Sequence, residues 1–182
     1  MKKIKFYLLF AILLMVISAC QSNPDSTTKK TESSYSFEAL NPENESDFSF
    51  KTIDIHGNTV QSASNKPTAI FFLASWCPTC IPGEKILAEL QKKVGEDVQL
   101  ITVDIDPDTD TVEDLANFQK KHGGEWPHIL DETREMTKFF GITYLEEVII
   151  LNEKGEITFR DFNPPLKKLE EKIAEAKLEK KS

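Results

Sequence analysis

The run Ala69-Ile70-Phe71-Phe72-Leu73-Ala74-Ser75-Trp76-Cys77-Pro78-Thr79-Cys80 decides the fold. Its first six residues are apolar without a break, the pattern of a strand covered on both faces. Two cysteines separated by two residues follow at once. The apolar positions Ile81, Ile86, Leu87 and Leu90 then recur with helical spacing up to Gly95. A strand feeding a helix through such a pair puts Cys77 near the helix N-terminus, where unpaired N–H groups and the helix dipole favour a thiolate. Pro78 suits a first helical turn, since its missing N–H has no partner there to lose. A bridge across two intervening residues adds little stability, so the pair has a local role, either redox-active or metal-binding. Cys80, one turn on, is placed to attack a mixed disulfide formed at Cys77. Trp76 offers a flat apolar face beside the sulfurs.

Downstream, strands and helices alternate. Val98 to Ile105 reads as the next strand, and Asp110-Thr111-Val112-Glu113 as an N-cap with an acid three residues on. The helix this opens carries Leu115 and Phe118 and stops at Lys120-Lys121-His122-Gly123-Gly124, cations followed by glycine. A short strand at His128-Ile129-Leu130 and a short helix around Met136, Phe139 and Phe140 come next. Val148 to Leu151 and Glu156 to Phe162 form a hairpin, and Leu166 to Lys180 a final helix with Leu166, Leu169, Ile173 and Ala176 on one stripe. Upstream, Phe48-Ser49-Phe50 and Ile53-Asp54-Ile55 alternate, and His56-Gly57-Asn58 supplies turn chemistry before Thr59-Val60, an N-terminal β-hairpin. The fold class is therefore α/β: a mixed central sheet with helices on both faces, over residues 48–182. The acidic stretch Asp104 to Asp110 lacks the glycine and terminal glutamate spacing of a calcium loop and is expected to be a solvated connection with capping residues.

Ahead of the domain lies an address. Residues 1–5 are basic, and Phe6 to Ile17 is an uncharged apolar run of 12 residues, too short for a spanning helix but the size of a signal-peptide core. It ends in Ile17-Ser18-Ala19-Cys20, which resembles the bacterial lipobox, where the cysteine becomes the lipidated first residue. Residues 1–19 are accordingly expected to be a lipoprotein signal peptide. Residues 20–47 then comprise the lipidated Cys20 and a polar, flexible tether, spanning on the order of 30 Å as a coil. A short segment at Tyr35-Ser36-Phe37 is the part of the tether able to pack on the domain. The expected location is the extracytoplasmic face of the cell membrane.

The 182 residues are 40% hydrophobic and 29% charged, with a net charge of −8. That excludes collagen-like, wholly disordered and polytopic membrane chains. It argues equally against a nucleic-acid partner, which needs clustered cations. Three cysteines are too few for a disulfide scaffold.

Residues 48–182 resemble thioredoxin-fold proteins of the membrane-anchored TlpA/ResA-like group. The resemblance rests on Lys66 to Cys80, Trp126-Pro127-His128-Ile129-Leu130-Asp131, Phe140-Gly141-Ile142 and Asn152-Glu153-Lys154-Gly155-Glu156-Ile157, in the family's order. It implies a Cys77–Cys80 disulfide, with Cys77 attacking and Cys80 resolving, and no bound cofactor or metal. It also implies exchange with exported proteins bearing thiols or disulfides, electrons from a membrane-embedded thiol carrier, and reduction rather than oxidation. Two other readings use the same residues: copper delivery through both thiols, and a non-catalytic binding domain with an inert disulfide. His56, His122 and His128 are expected to be structural or solvated rather than ligands.

Three departures from the family stand out. Its proline in the closing loop is replaced by Glu146, followed by Glu147. A cis bond before a non-proline residue costs about 2.5–4 kcal/mol, so this loop is expected to be trans. Its carboxylate would then lie near the thiols and disfavour the Cys77 thiolate. Phe71 stands six residues before Cys77, where thioredoxins often bury a carboxylate. Gly83 stands where the group often has Glu, with Glu84 beside it. Proton handling for Cys80 is expected to fall to Glu84 or Glu146.

Overall fold

The computed structural model describes residues 36–62 and 65–178. The leader, Cys20, most of the tether and the last four residues lie outside them.

The uninterrupted apolar run becomes β4 (Thr68–Leu73), buried at every position and central in a five-stranded sheet of order β6-β5-β4-β7-β8. It pairs in parallel with β5 (Gln99–Asp104), which pairs in parallel with β6 (His128–Leu130). On its other side it pairs antiparallel with β7 (Glu147–Leu151), which continues antiparallel into β8 (Ile157–Phe162). Its two faces feed two cores, as the period-2 alternation of a strand dictates. Ala69, Phe71 and Leu73 meet Leu87 and Leu90 of α1 (Cys80–Val94), Leu115 and Phe118 of α2 (Val112–His122), and Leu169 and Ile173 of α4 (Leu166–Leu178). Ile70 and Phe72 meet Met136 and Phe140 of α3 (Glu135–Phe140) together with Phe50 and Val60. Those last two come from the hairpin of β2 (Phe50–Ile53) and β3 (Thr59–Gln61). The mixed sheet, the helices on both faces and the hairpin are as the sequence implied.

The chain joins the fold earlier than residue 48. A short strand, β1 (Glu38–Ala39), adds to β2 through the pairs Glu38–Lys51 and Ala39–Phe50. Phe37 packs its ring against Phe50 and Phe139. The segment named above as able to pack does so at Phe37. The reason is apolar: among the described residues one short helix, α3, packs on that side of the sheet, and aromatic rings add to the cover.

Two capping expectations shift by a residue or more. Helix α1 begins at Cys80, not just after Cys77: Thr79 is its N-cap, and Pro78 belongs to the turn before it, where the Cys80 N–H donates to the Cys77 carbonyl at 3.2 Å. Helix α2 is capped by Thr111, whose side chain accepts from the Asp114 N–H while Asp114 accepts from the Thr111 N–H. Asp110 is turned inward instead, because the Ser75 N–H and hydroxyl offer it two donors in the interior.

Candidate active site

Residues 67 positions apart meet at the thiols because of strand direction. The chain leaves the C-terminal end of β4 into Ala74-Ser75-Trp76-Cys77, while β7, antiparallel beside it, starts at that same end. Glu146, just before β7, is therefore delivered to the edge of the cysteine loop. Cys77 and Cys80 form a disulfide with Cα atoms 5.4 Å apart. Cys80 is fully buried and Cys77 keeps 4% of its surface exposed, so Cys77 is the sulfur an incoming partner reaches first. A Glu146 carboxylate oxygen and both sulfurs lie within 4.8 Å of one another.

Glu146 is held there by both ends of its own peptide units. Its N–H donates to the Phe72 carbonyl and its carbonyl accepts from Asn163 N–H, each at 2.8 Å. The loop is trans as expected, with no cis bond among the described residues, and Glu146 sits at φ 68° in the left-handed region. A side chain there costs roughly 1–2 kcal/mol that glycine would not. The carboxylate accepts a hydrogen bond from the Thr79 hydroxyl, whose oxygen lies 3.3 Å from the Cys77 sulfur. Thr79 thus links Cys77 to Glu146, a role that its position between the cysteines did not reveal.

Glu84 lies elsewhere in the chemistry. It is fully buried, accepts from the Thr102 hydroxyl at 3.1 Å, and meets His128 Nε2 at 2.7 Å. His128 Nδ1 faces the Trp126 carbonyl at 3.0 Å. A carbonyl only accepts, so Nδ1 carries its hydrogen and one further proton lies between Nε2 and Glu84. The Trp126 indole N–H donates to Thr102 at 2.9 Å and closes the network. Glu84 is committed to this network, and of the two carboxylates expected to handle protons for Cys80 only Glu146 stands at the sulfurs. His128 is structural; His56 bonds Gln119 on the surface, and His122 packs on Phe118.

The departures at Phe71 and Gly83 turn out to be one feature. A Cβ built on Gly83 would come within 2.5 Å of the Phe71 ring tip. The phenyl ring occupies the volume that a side chain at 83 would need, so glycine there is the counterpart of the bulky residue on β4.

The acidic stretch after β5 is solvated in its middle, at Asp108 and Thr109, but its two ends are not. Asp104 is fully buried and Asp110 nearly so, and both accept from the Ser75 N–H, at 2.9 and 2.7 Å. Burial pushes the Asp104 carboxyl up to about 8, and its hydrogen bond to Asp110 and the like charge there act in the same direction. One proton shared between the two carboxyls removes the repulsion while Ser75 remains gripped. Next along the chain, the Trp76 indole N–H donates to Asp106 at 2.9 Å. The loop from Asp104 to Asp110 therefore clamps the residues that lead into Cys77. Pro78 is exposed in the turn between the cysteines.

Among the described residues, the large hydrophobic side chains left exposed are Trp76, Tyr144 and Phe162. Trp76 adjoins Cys77, Tyr144 lies two residues before Glu146, and Phe162 pairs with Glu147 across β7 and β8. Of the three, Trp76 is the one adjacent in sequence to Cys77.

Comparison with known proteins agrees with this geometry. The model of the Redoxin family matches residues 42–178. Sporulation thiol-disulfide oxidoreductase A of Bacillus subtilis is 29% identical over 121 residues, which cover 64% of this chain and 71% of that protein. Thiol-disulfide oxidoreductase ResA of Bacillus thuringiensis subsp. konkukian is 26% identical over 111 residues, 59% of this chain and 62% of its own length. The crystal structure of StoA from Bacillus subtilis matches at a TM-score of 0.60 and 25% identity, covering 68% of this chain and 95% of that one. With the family model spanning three quarters of the sequence and the disulfide placed at the mouth of the fold, the chain belongs to the Redoxin family, as a thiol–disulfide oxidoreductase of thioredoxin-like fold.

Proposed function

We propose that this protein is a lipid-anchored reductase of disulfides in exported proteins, working at the extracytoplasmic face of the membrane. In its reduced form the Cys77 thiolate attacks a substrate disulfide, forming a mixed disulfide and releasing one substrate thiol. Cys80 then attacks the Cys77 sulfur, which frees the second substrate thiol and closes Cys77–Cys80. Two electrons and two protons pass to the substrate. A membrane-embedded thiol carrier returns the pair to the dithiol.

The observation that carries the direction is the Glu146 carboxylate within 4.8 Å of both sulfurs. A negative group there disfavours the thiolate of the reduced form. Reduced forms stabilised as thiolate make strong oxidants, so denying that stabilisation lowers the potential. The difference in exposure between Cys77 and Cys80 supports their roles as attacking and resolving sulfurs, and exposed Trp76 beside Cys77 suits an apolar stretch of substrate chain. The anchoring rests on Ile17-Ser18-Ala19-Cys20 and the basic, apolar leader before it.

The test is the reduction potential of Cys77–Cys80 in the full chain carrying Cys20→Ser, held in detergent and equilibrated against thiol buffers. A value at or below about −270 mV agrees with a reductase, and one near −120 mV makes the protein an oxidant. A pair that shows no reversible couple ends the oxidoreductase roles assigned to both sulfurs. Separately, Cys20→Ser should move the protein from the membrane fraction to the soluble one and abolish labelling by a fatty acid.

A further inference from the structure

Reduction of the disulfide creates a local charge problem. In the disulfide form both sulfurs and a Glu146 carboxylate oxygen lie within 4.8 Å of one another, and reduction turns those sulfurs into groups able to become thiolates beside that carboxylate. Glu146 has the Thr79 hydroxyl for a partner and no cation among the described residues, whereas its neighbour Glu147 is paired with Arg160 at 2.9 Å. The Glu146 main chain is held beside the sulfurs, because its N–H and carbonyl are both bonded into the sheet end, and the Thr79 hydroxyl bonds its carboxylate there. A carboxylate presented to a dithiol is the arrangement of a cation site.

We propose that the reduced protein binds one divalent cation of the zinc class through Cys77, Cys80 and Glu146, with water in the fourth position. Two thiolates at about 2.3 Å and a carboxylate oxygen at about 2.0–2.2 Å make a tetrahedral face whose edges are roughly 3.6–3.8 Å. In the oxidised protein the two sulfurs are bonded to each other and a Glu146 oxygen lies within 4.8 Å of both, so reduction has to open the sulfur–sulfur edge while the carboxylate is already in reach. The oxygen donor selects the metal. A soft monovalent cation such as Cu(I) is satisfied by the two thiolates and gains little from a carboxylate, whereas zinc readily takes mixed sulfur and oxygen ligands. Hard cations that avoid sulfur do not fit.

The proposal rests on the disulfide cycling to a dithiol, as in the proposed function. Two electrons from a dithiol reductant open the bridge. The cation then displaces one proton from each sulfur, and no further electrons move. Once metallated, neither sulfur can attack a disulfide, so zinc-class cations reversibly inhibit the reductase and hold its thiols against oxidation.

The experiment uses the full chain carrying Cys20→Ser, reduced, freed of reductant under anaerobic conditions, and titrated with zinc chloride against a chromophoric chelator. Free thiols are counted in parallel. The expected result is one zinc per reduced chain, release of two protons, and no binding by the oxidised chain. Glu146→Gln should weaken binding at least about tenfold while both thiols are still counted. Glu146→Gly, which suits the left-handed backbone, should do the same and guards against a folding artefact. Cobalt(II) in place of zinc should show a thiolate-to-metal absorption band that is altered in Glu146→Gln. Equal affinity in both variants and the parent overturns the carboxylate as a ligand. Two counted thiols and a reversible couple with no zinc bound overturn the metal site alone. A pair that cannot be reduced overturns this site together with the oxidoreductase reading.

Discussion

Two buried acidic regions flank the disulfide loop, and they meet the same difficulty in opposite ways. Under α1, Glu84 is completely enclosed and is given a histidine: His128 Nε2 at 2.7 Å, with Thr102 and Trp126 completing the hydrogen bonds. At the end of β5, Asp104 and Asp110 are enclosed with no cation paired to either among the described residues, and are given each other and the Ser75 N–H. The first region keeps a proton between unlike groups, the second between like ones. Burying a charge without a partner is far costlier than either solution. The comparison teaches that position relative to the sulfurs decides the consequence. The Glu84 network stiffens the body of the fold, whereas the aspartate pair holds the backbone that aims Cys77.

Breaking the first region should have the largest effect. Glu84→Ala leaves His128 enclosed without its partner and should lower stability by about 3–5 kcal/mol, measured by urea unfolding. Glu84→Gln, which still offers an N–H to His128 Nε2, should lose much less. Equal losses would mean that the packing, not the shared proton, matters at this site. A steric version of the same break is Gly123→Ala, since an added Cβ would come within 2.8 Å of His128 Nε2 and 2.9 Å of Glu84 Oε1. About 1–3 kcal/mol of destabilisation is expected, and combining it with Glu84→Ala should give less than the sum.

The second region should respond to pH. The Asp104 carboxyl is pushed up to about 8 from an ordinary 3.8, so the folded protein binds more protons than the unfolded chain between those values. Stability from this group is complete below about pH 4 and is lost as pH rises to about 8. Asp104→Asn, shaped like the protonated acid, should flatten the unfolding free energy across that window. An unchanged slope would show that the two carboxyls do not share a proton. Smallest of all, Ser75→Ala removes one hydroxyl bond to Asp110 and keeps the N–H bonds. About 0.5–1.5 kcal/mol is expected, with a larger proportional effect on the rate of disulfide exchange than on stability.

Much of the molecule could be read from its residues. The apolar run before the cysteines, the two-residue spacing between them and the alternation of strand and helix patterns are local properties. They specify β4, a thiol pair directly after it and the order of elements wherever the chain ends up. The start of the fold was read too late because Glu38–Ala39 is too short to show a period, and Phe37 acquires meaning only beside Phe50 and Phe139. Asp104 to Asp110 looked like surface because charge ordinarily is surface; nothing local reveals that Ser75 turns two donors toward it. Phe71 and Gly83 read as separate departures along the chain; packing α1 on β4 puts the Phe71 ring tip 2.5 Å from where a Gly83 Cβ would stand.

The sequence by itself therefore determined what the chemistry is made of: a thiol pair after a buried strand, because burial period and spacing are written along the chain. Only the tertiary structure decided which carboxylate serves that pair. Glu84, four residues from Cys80, is drawn into the interior by His128, and Glu146, 66 residues away, is carried to the sulfurs by a strand running back beside the one that presents them. Electrostatics depends on distance through space, and the antiparallel pairing of β4 and β7 sets that distance.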